Sequence, residues 1–209
     1  MLFESDPRHY NRIWMRKSVP KRYDLVFMLL IDLSGSMRGA NATAALQGTV
    51  LMAETLNRLG LPFAVYGFQD VLIPLRPYGE EFNEQSKKAI GGIIAEIEGN
   101  RAGGHNQPSY NDDGPCVLEA AQLLMQQPNT DKIMIVVSDG EPAGRRSNEN
   151  DLHNSVRRLT NSEIQLIALG LGADTGHVLK FYPRAKANIP LDQFATEIAA
   201  LIGEAITDK

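Results

Sequence analysis

Cysteine is nearly absent: Cys116 is the only one in 209 residues. No internal disulfide can form, and the chain is expected in a reducing, cytoplasmic compartment. The four histidines, His9, His105, His153 and His177, are scattered, so spacing alone assembles no zinc site with Cys116. No run approaches the ~18 apolar residues that suggest a membrane span, and the opening "MLFESDPRHYNR" has no signal-peptide core. Nor is there an excess of positive charge. Lys and Arg number 21 against 25 Asp and Glu, a net of −4, which argues against nucleic-acid or anionic-membrane partners. The phosphate-cradling patterns G-x-x-x-x-G-K-[ST] and G-x-G-x-x-G are missing, and so are repeats and low-complexity tracts.

The charge that is present is unevenly placed. Residues 1–22 hold Arg8, Arg12, Arg16, Lys17, Lys21 and Arg22 against Glu4 and Asp6. This +4 arm, with Phe3, Tyr10, Ile13 and the only tryptophan, Trp14, leaves −8 on residues 23–209. A basic N-terminal arm (1–22) followed by one domain (23–209) is the expected organisation. The arm either packs on that domain or anchors a partner.

Short apolar runs alternate with segments of helical period, the pattern of an α/β sheet with helices on both faces. "YDLVFMLLI" (23–31), "DKIMIVVS" (131–138) and "IQLIALGLG" (164–172) are continuously apolar, as strands buried on both faces are. "FAVYGF" (63–68) and "VLIPLRP" (71–77) form a hairpin, with Pro74 marking the second as an antiparallel edge. Helices are expected after residue 40, with Leu46, Val50, Ala53 and Leu56 facing inward, and over 80–98, 117–124, 148–161 and 194–205. The fold class is therefore α/β: doubly wound, mostly parallel, with one antiparallel edge strand. "GNRAGGHNQPSYNDD" (99–113) is a long loop between helices, a length usually reserved for function.

Chemistry concentrates where two buried strands end. "LLIDLSGSM" places Asp32, Ser34 and Ser36 at alternate positions, and "VVSDGEP" places Asp139 at the end of another strand. In an open sheet of order 3-2-1-4-5-6 these strands are neighbours, and ligands bind outside their carboxyl ends. Two converging carboxylates repel unless their pKa values rise or a divalent cation joins them. Hard oxygen donors select Mg²⁺, Mn²⁺ or Ca²⁺. Alone, "DLSGSM" is equally a turn that caps the next helix.

These two motifs resemble the D-x-S-x-S and S/T-D-G-x-P elements of von Willebrand factor A (vWA) domains, whose metal-ion-dependent adhesion site they build. The likeness runs over about 24–205. The usual third element, a threonine, is replaced: "NDDGPCVLEAA" puts Asn111 at that position, followed by Asp112 and Asp113. This N-x-D-G arrangement, with "SMRG", "SDGEP" and "LGLGADTGHVLKFYP", is similar to the cobaltochelatase-subunit branch that works with AAA+ ATPases. The resemblance implies a metal held by Asp32, Ser34, Ser36 and Asp139 with the segment Asn111, Asp112 and Asp113. Asn111 and Asp113 are the named candidates there, and any one of the three can reach the ion directly or through water. It also implies a protein partner supplying an Asp or Glu ligand, in that branch an AAA+ ATPase, and a non-catalytic adaptor rather than an enzyme. The alternatives are a Mg²⁺-dependent hydrolase or phosphatase using Asp32, and a structural vWA domain with a non-functional site. A hydrolase needs a base and a cation at the crevice, and strand ends 67–70 and 170–174 offer only Asp70 and Asp174. His105 in the loop, Arg145 and Arg146 beside "SDGEP", and a core position for Cys116 complete the reading.

Overall fold

The structure is a computed structural model that describes residues 24–99, 111–139, 142, 144 and 147–207. The basic arm, most of loop 99–113 with His105, and Arg145 and Arg146 lie outside these residues.

The six strands among the described residues are β1 (Leu25–Asp32), β2 (Phe63–Phe68), β3 (Leu72–Arg76), β4 (Asp131–Ser138), β5 (Ile164–Leu171) and β6 (Ala185–Ile189). They form one sheet in the order β3-β2-β1-β4-β5-β6. Every pairing is parallel except β2–β3, the antiparallel hairpin edge. Pro74 sits in β3 with an exposed side chain, where its missing N–H leaves no gap in the sheet interior. The helices are α1 (Ala40–Arg58), α2 (Glu84–Gly91), α3 (Ile93–Ile97), α4 (Asp113–Met125), α5 (Glu149–Thr160), α6 (Val178–Phe181) and α7 (Phe194–Thr207).

All eight residues of β1 are buried, because the strand is central and covered on both faces. Its side chains alternate between two cores. Leu25, Phe27, Leu29 and Ile31 join α1, α3 and α7 in one. Val26, Met28 and Leu30 join α4, α5 and α6 in the other. The apolar runs read from the sequence are thus interior strands. Among the described residues no helix is long and apolar enough to cross a membrane.

Two expectations are corrected. The helix expected over 80–98 is two, α2 and α3, meeting at Gly92. Asn83 caps α2, its side chain accepting from the Gln85 and Ser86 amides, so the helix starts later than residue 80. In α1, Ala53 and Leu56 face inward, but Leu46 is half-buried and Val50 is 41% exposed. The helix instead turns Ala45, Thr49 and Met52 to the protein. The helix whose inward face lies over 117–124 opens at Asp113, within the 111–113 segment expected to start it. The buried faces of α4 (Val117, Ala120, Ala121, Leu124) and α7 (Phe194, Ile198, Leu201, Ile202) agree with the periodicity, and Cys116 is a buried free thiol.

The small face of α1 lets α7 approach closely. A Cβ at Gly48 would lie 2.4 Å from Cε1 of Phe194, a ring that is itself 1% exposed. Mid-helix glycine costs ~1 kcal/mol relative to alanine, so its presence reflects that contact. Gly48→Ala should therefore destabilise the domain by ~1–3 kcal/mol through overpacking despite its better helix propensity. Urea unfolding measures this, and a stabilised variant would show that Phe194 has room to move.

Candidate metal centre

The site stands at the carboxyl ends of β1 and β4. Ile31 pairs with Val137 across the two strands, which sets Asp32 beside Ser138. Asp32 has no exposed surface. Its Oδ1 accepts from the Ser34 amide (2.8 Å), and its Oδ2 accepts from the Ser138 hydroxyl (2.7 Å) and the Asn111 amide nitrogen (3.2 Å). The chain then tightens into a short 3-10 turn, Gly35–Met37, which brings the two serines together. The Ser34 and Ser36 hydroxyls are 2.9 Å apart, and Ser36 donates to Asp139 Oδ1 at 2.8 Å. Asn41, in the first turn of α1, donates to Asp139 Oδ2 at 2.6 Å. Asp32, Ser34, Ser36 and Asp139, from two separate stretches, thus form one continuous hydrogen-bonded chain.

The third segment arrives on α4. Gln69 anchors it from the β2–β3 turn: its carbonyl accepts from the Asp112 amide (2.9 Å) while its side chain donates to the Leu33 carbonyl (2.7 Å). Asp112 seats its carboxylate against Gly144, where a Cβ would fall 1.7 Å from Oδ1, so only glycine fits. The Gly114 amide donates to Ser147 Oγ (3.3 Å), tying the start of α4 to the segment after β4. Asp113 is 2% exposed, and its Oδ1 is buried with no hydrogen-bond partner.

Burial raises the Asp32 carboxyl to about 6; the Ser34 and Ser138 hydrogen bonds oppose the rise, and the Asp139 charge adds to it. Burial also pushes Asp113 well above the carboxylate range, with the charges of Asp32 and Asp112 behind it. Tyr182, buried beneath, is raised by burial and then by Asp113 and Asp32, so its phenol stays neutral. No lysine or arginine among the described residues pairs with Asp32, Asp113 or Asp139. The site gathers buried acids that no lysine or arginine among the described residues neutralises.

Exposure is graded. Asp32, Ser34, Asn111, Asp113 and Ser138 form a buried floor, while Asp139 is half-buried and Ser36 exposed at the rim. Among the described residues no three of His, Cys, Asp and Glu stand as a ligating trio, so a cation here would rely on serine hydroxyls and water beside the acids. The donor set is all oxygen, and the orphaned Asp113 Oδ1 lacks a partner that a hard cation or its water would provide. The residues present fit such an ion.

Every candidate from the sequence converges here: Asp32, Ser34, Ser36, Asp139, Asn111 and Asp113. Sequence reasoning missed Ser138, Asn41, Gln69 and Tyr182. Ser138 carried a signal, since it precedes Asp139 in the "SDG" motif; the other three reach the site only through the packing of α1, the hairpin and α6.

A doubly wound sheet with this crest defines a von Willebrand A domain. Residues 13–110 and 105–206 match the family described as the cobalamin biosynthesis protein CobT VWA domain, and the chain belongs to that family. It is 30% identical over 135 residues to the uncharacterized protein PA0525 of Pseudomonas aeruginosa, covering 59% of this chain and 20% of that protein. It is 28% identical over 141 residues to the uncharacterized protein YojO of Bacillus subtilis, covering 63% of this chain and 21% of that one. The matched regions thus span about a fifth of these curated relatives. In fold it is similar to a von Willebrand factor type A protein from Catenulispora acidiphila, with TM-score 0.67 and 18% identity, over 88% of this chain and 43% of that one.

The charge on Asp32 has a consequence for stability in metal-free protein. Folding raises its pKa from an ordinary 3.8 to about 6, so the native state keeps a proton that the unfolded chain releases. The stability Asp32 contributes is full below pH ~4 and is lost as pH climbs to about 6, a change on the order of 2–3 kcal/mol. In chelator, wild type should lose stability relative to Asp32→Asn over that window and run parallel to it above. Paired urea titrations at several pH values measure the gap; a constant gap would contradict the burial of this charge.

Proposed function

We propose that this domain is a metal-dependent protein-binding module that holds a divalent cation at the sheet crest and takes a partner's carboxylate there. The observation that carries the reading is the hydrogen-bonded chain from Asp32 through Ser34 and Ser36 to Asp139, set over unneutralised buried acid. Asp32, Ser34, Ser36 and Asp139 would hold Mg²⁺, Mn²⁺ or Ca²⁺. Of the segment 111–113, Asp113 is assigned to the ion because its buried Oδ1 has no hydrogen-bond partner and belongs to a carboxylate, a stronger ligand for a hard cation than the neutral amide of Asn111. Asn111 donates to Asp32, and Asp112 is seated against Gly144, so both are positioning residues. When bound, the cation supplies positive charge and an open coordination position that an Asp or Glu side chain from a partner can fill.

The chain's own residues prepare that event. Ser138 and the Ser34 amide hold Asp32 in one orientation; Asn41 does the same for Asp139. The exposed Ser36 rim leaves the approach open, and the buried floor excludes water. A charge-assisted contact in such a setting contributes ~1.5–3 kcal/mol net, enough for a hot spot. The family likeness favours an AAA+ ATPase as partner, in a chelatase-like or remodelling complex. A phosphatase reading is disfavoured: no lysine or arginine among the described residues pairs with Asp32 to hold a phosphoryl group.

Thermal and urea melts in Mg²⁺ or Mn²⁺ against chelator test the site. At 100 times its Kd, a bound ion should stabilise the domain by ~2.7 kcal/mol, and Asp139→Ala should abolish most of that gain. Superimposable melts with and without metal would rule out the site. A partner captured in Mg²⁺ should be released by chelator and not be captured by Asp139→Ala.

A further inference from the structure

The flank of the molecule carries a second surface, which shares Tyr182 with the crest site. A groove of about 290 Å³ runs between α5 and α6, lined by His153, Val156, Arg157, Leu179, Lys180 and Phe181 among others. Helix α5 is amphipathic: Leu152, Val156 and Leu159 face the core while Arg157 and His153 line the groove. Helix α6 is one turn, with Val178 and Phe181 inward and Leu179 and Lys180 outward. Leu179, 58% exposed, is the most exposed large apolar side chain among the described residues.

The cations of this groove face no acid in its lining. Lys87, Lys132 and Lys186 each meet a glutamate. Arg157 reaches only the Asn154 side-chain oxygen, 3.2 Å away on its own helix, and Lys180 meets no carboxylate among the described residues. Acidic residues outnumber basic ones, 25 to 21, yet none lines this groove. Complementing the carboxyl end of α5 explains a basic residue at Arg157 and Arg158. It explains neither Lys180 on the facing wall nor an exposed leucine between them.

We propose that the α5–α6 groove docks an acidic, amphipathic segment of a partner protein, with an apolar side chain against Leu179 and Asp or Glu facing Arg157 and Lys180. An apolar seat rimmed by one sign of charge is the form of a helix-in-groove contact, in which area supplies affinity and charge supplies selection. A duplex nucleic acid is the weaker match, because it has no use for the leucine and meets a chain of net charge −4.

The test uses the full chain and two fluorescent synthetic amphipathic peptides that share a leucine face, one otherwise glutamate-rich and the other lysine-rich. Anisotropy at low salt should show the acidic peptide binding, more weakly as salt rises, equally in Mg²⁺ and in chelator. The double variant Arg157→Glu/Lys180→Glu should lose about tenfold in affinity for it and gain affinity for the basic peptide. Leu179→Ser should weaken both combinations, and circular dichroism melts should match wild type because these side chains are exposed. Equal binding of the two peptides by wild type, failure of the charge swap, or competition by a DNA duplex through the same residues would overturn the proposal. Because the readout is metal-independent, its failure leaves the crest site untouched, and the reverse holds as well.

Discussion

A carboxylate with no access to water, Asp32, closes a strand that is itself buried on both faces. Burying a charge is costly unless it is hydrogen-bonded and paired, and the described residues around Asp32 answer only the first requirement. Three donors, the Ser34 amide, the Ser138 hydroxyl and the Asn111 amide, surround it, while a second buried acid, Asp113, faces it across the crest. The geometry of three separate segments serves this one group. Among the described residues no lysine or arginine answers that charge.

The scaffold makes that tension tolerable. The central strands are clamped between two apolar cores, so the ends of β1 and β4 cannot drift apart to relieve the repulsion. The carbonyl of Gln69 and the cradle at Gly144 hold the start of α4 against the same point. A site mounted on rigid strand ends keeps its donors in place whether or not a ligand is present, which lowers the ordering cost of binding. Destabilising charge at the crest is then offset by packing elsewhere, as is common where function imposes a local penalty.

The two proposed surfaces would divide the labour of an interaction domain. With a cation bound, the crest would offer a single strong point of charge, selective for one carboxylate but nearly blind to what surrounds it. The flank groove offers area and a charge pattern, which distinguish one segment from another. In relatives about five times longer than the matched region, such a domain works within a larger chain.

Much of the fold was legible from the residues alone. Continuous apolar runs mark strands buried on both faces, Pro74 can only sit at an edge, and alternation at 32, 34 and 36 with a second acid at 139 marks the crest. These signals are local, carried by covalent spacing and side-chain chemistry, and they survive without knowledge of packing. Other features depended on neighbours. Val50 is exposed because α1 turns its smallest residues toward α7, a choice made by Phe194 filling the space at Gly48. The edge strand β6 and the one-turn α6 are too short for periodicity to reveal. Asn41 and Tyr182 belong to the site because helices from distant parts of the sequence deliver them there, and the α5–α6 groove exists only once those helices pack. The sequence by itself determined which strands are interior and which acids end them. Only the tertiary structure decided what surrounds those acids, because desolvation and repulsion arise when groups far apart in the chain share a space that water has left.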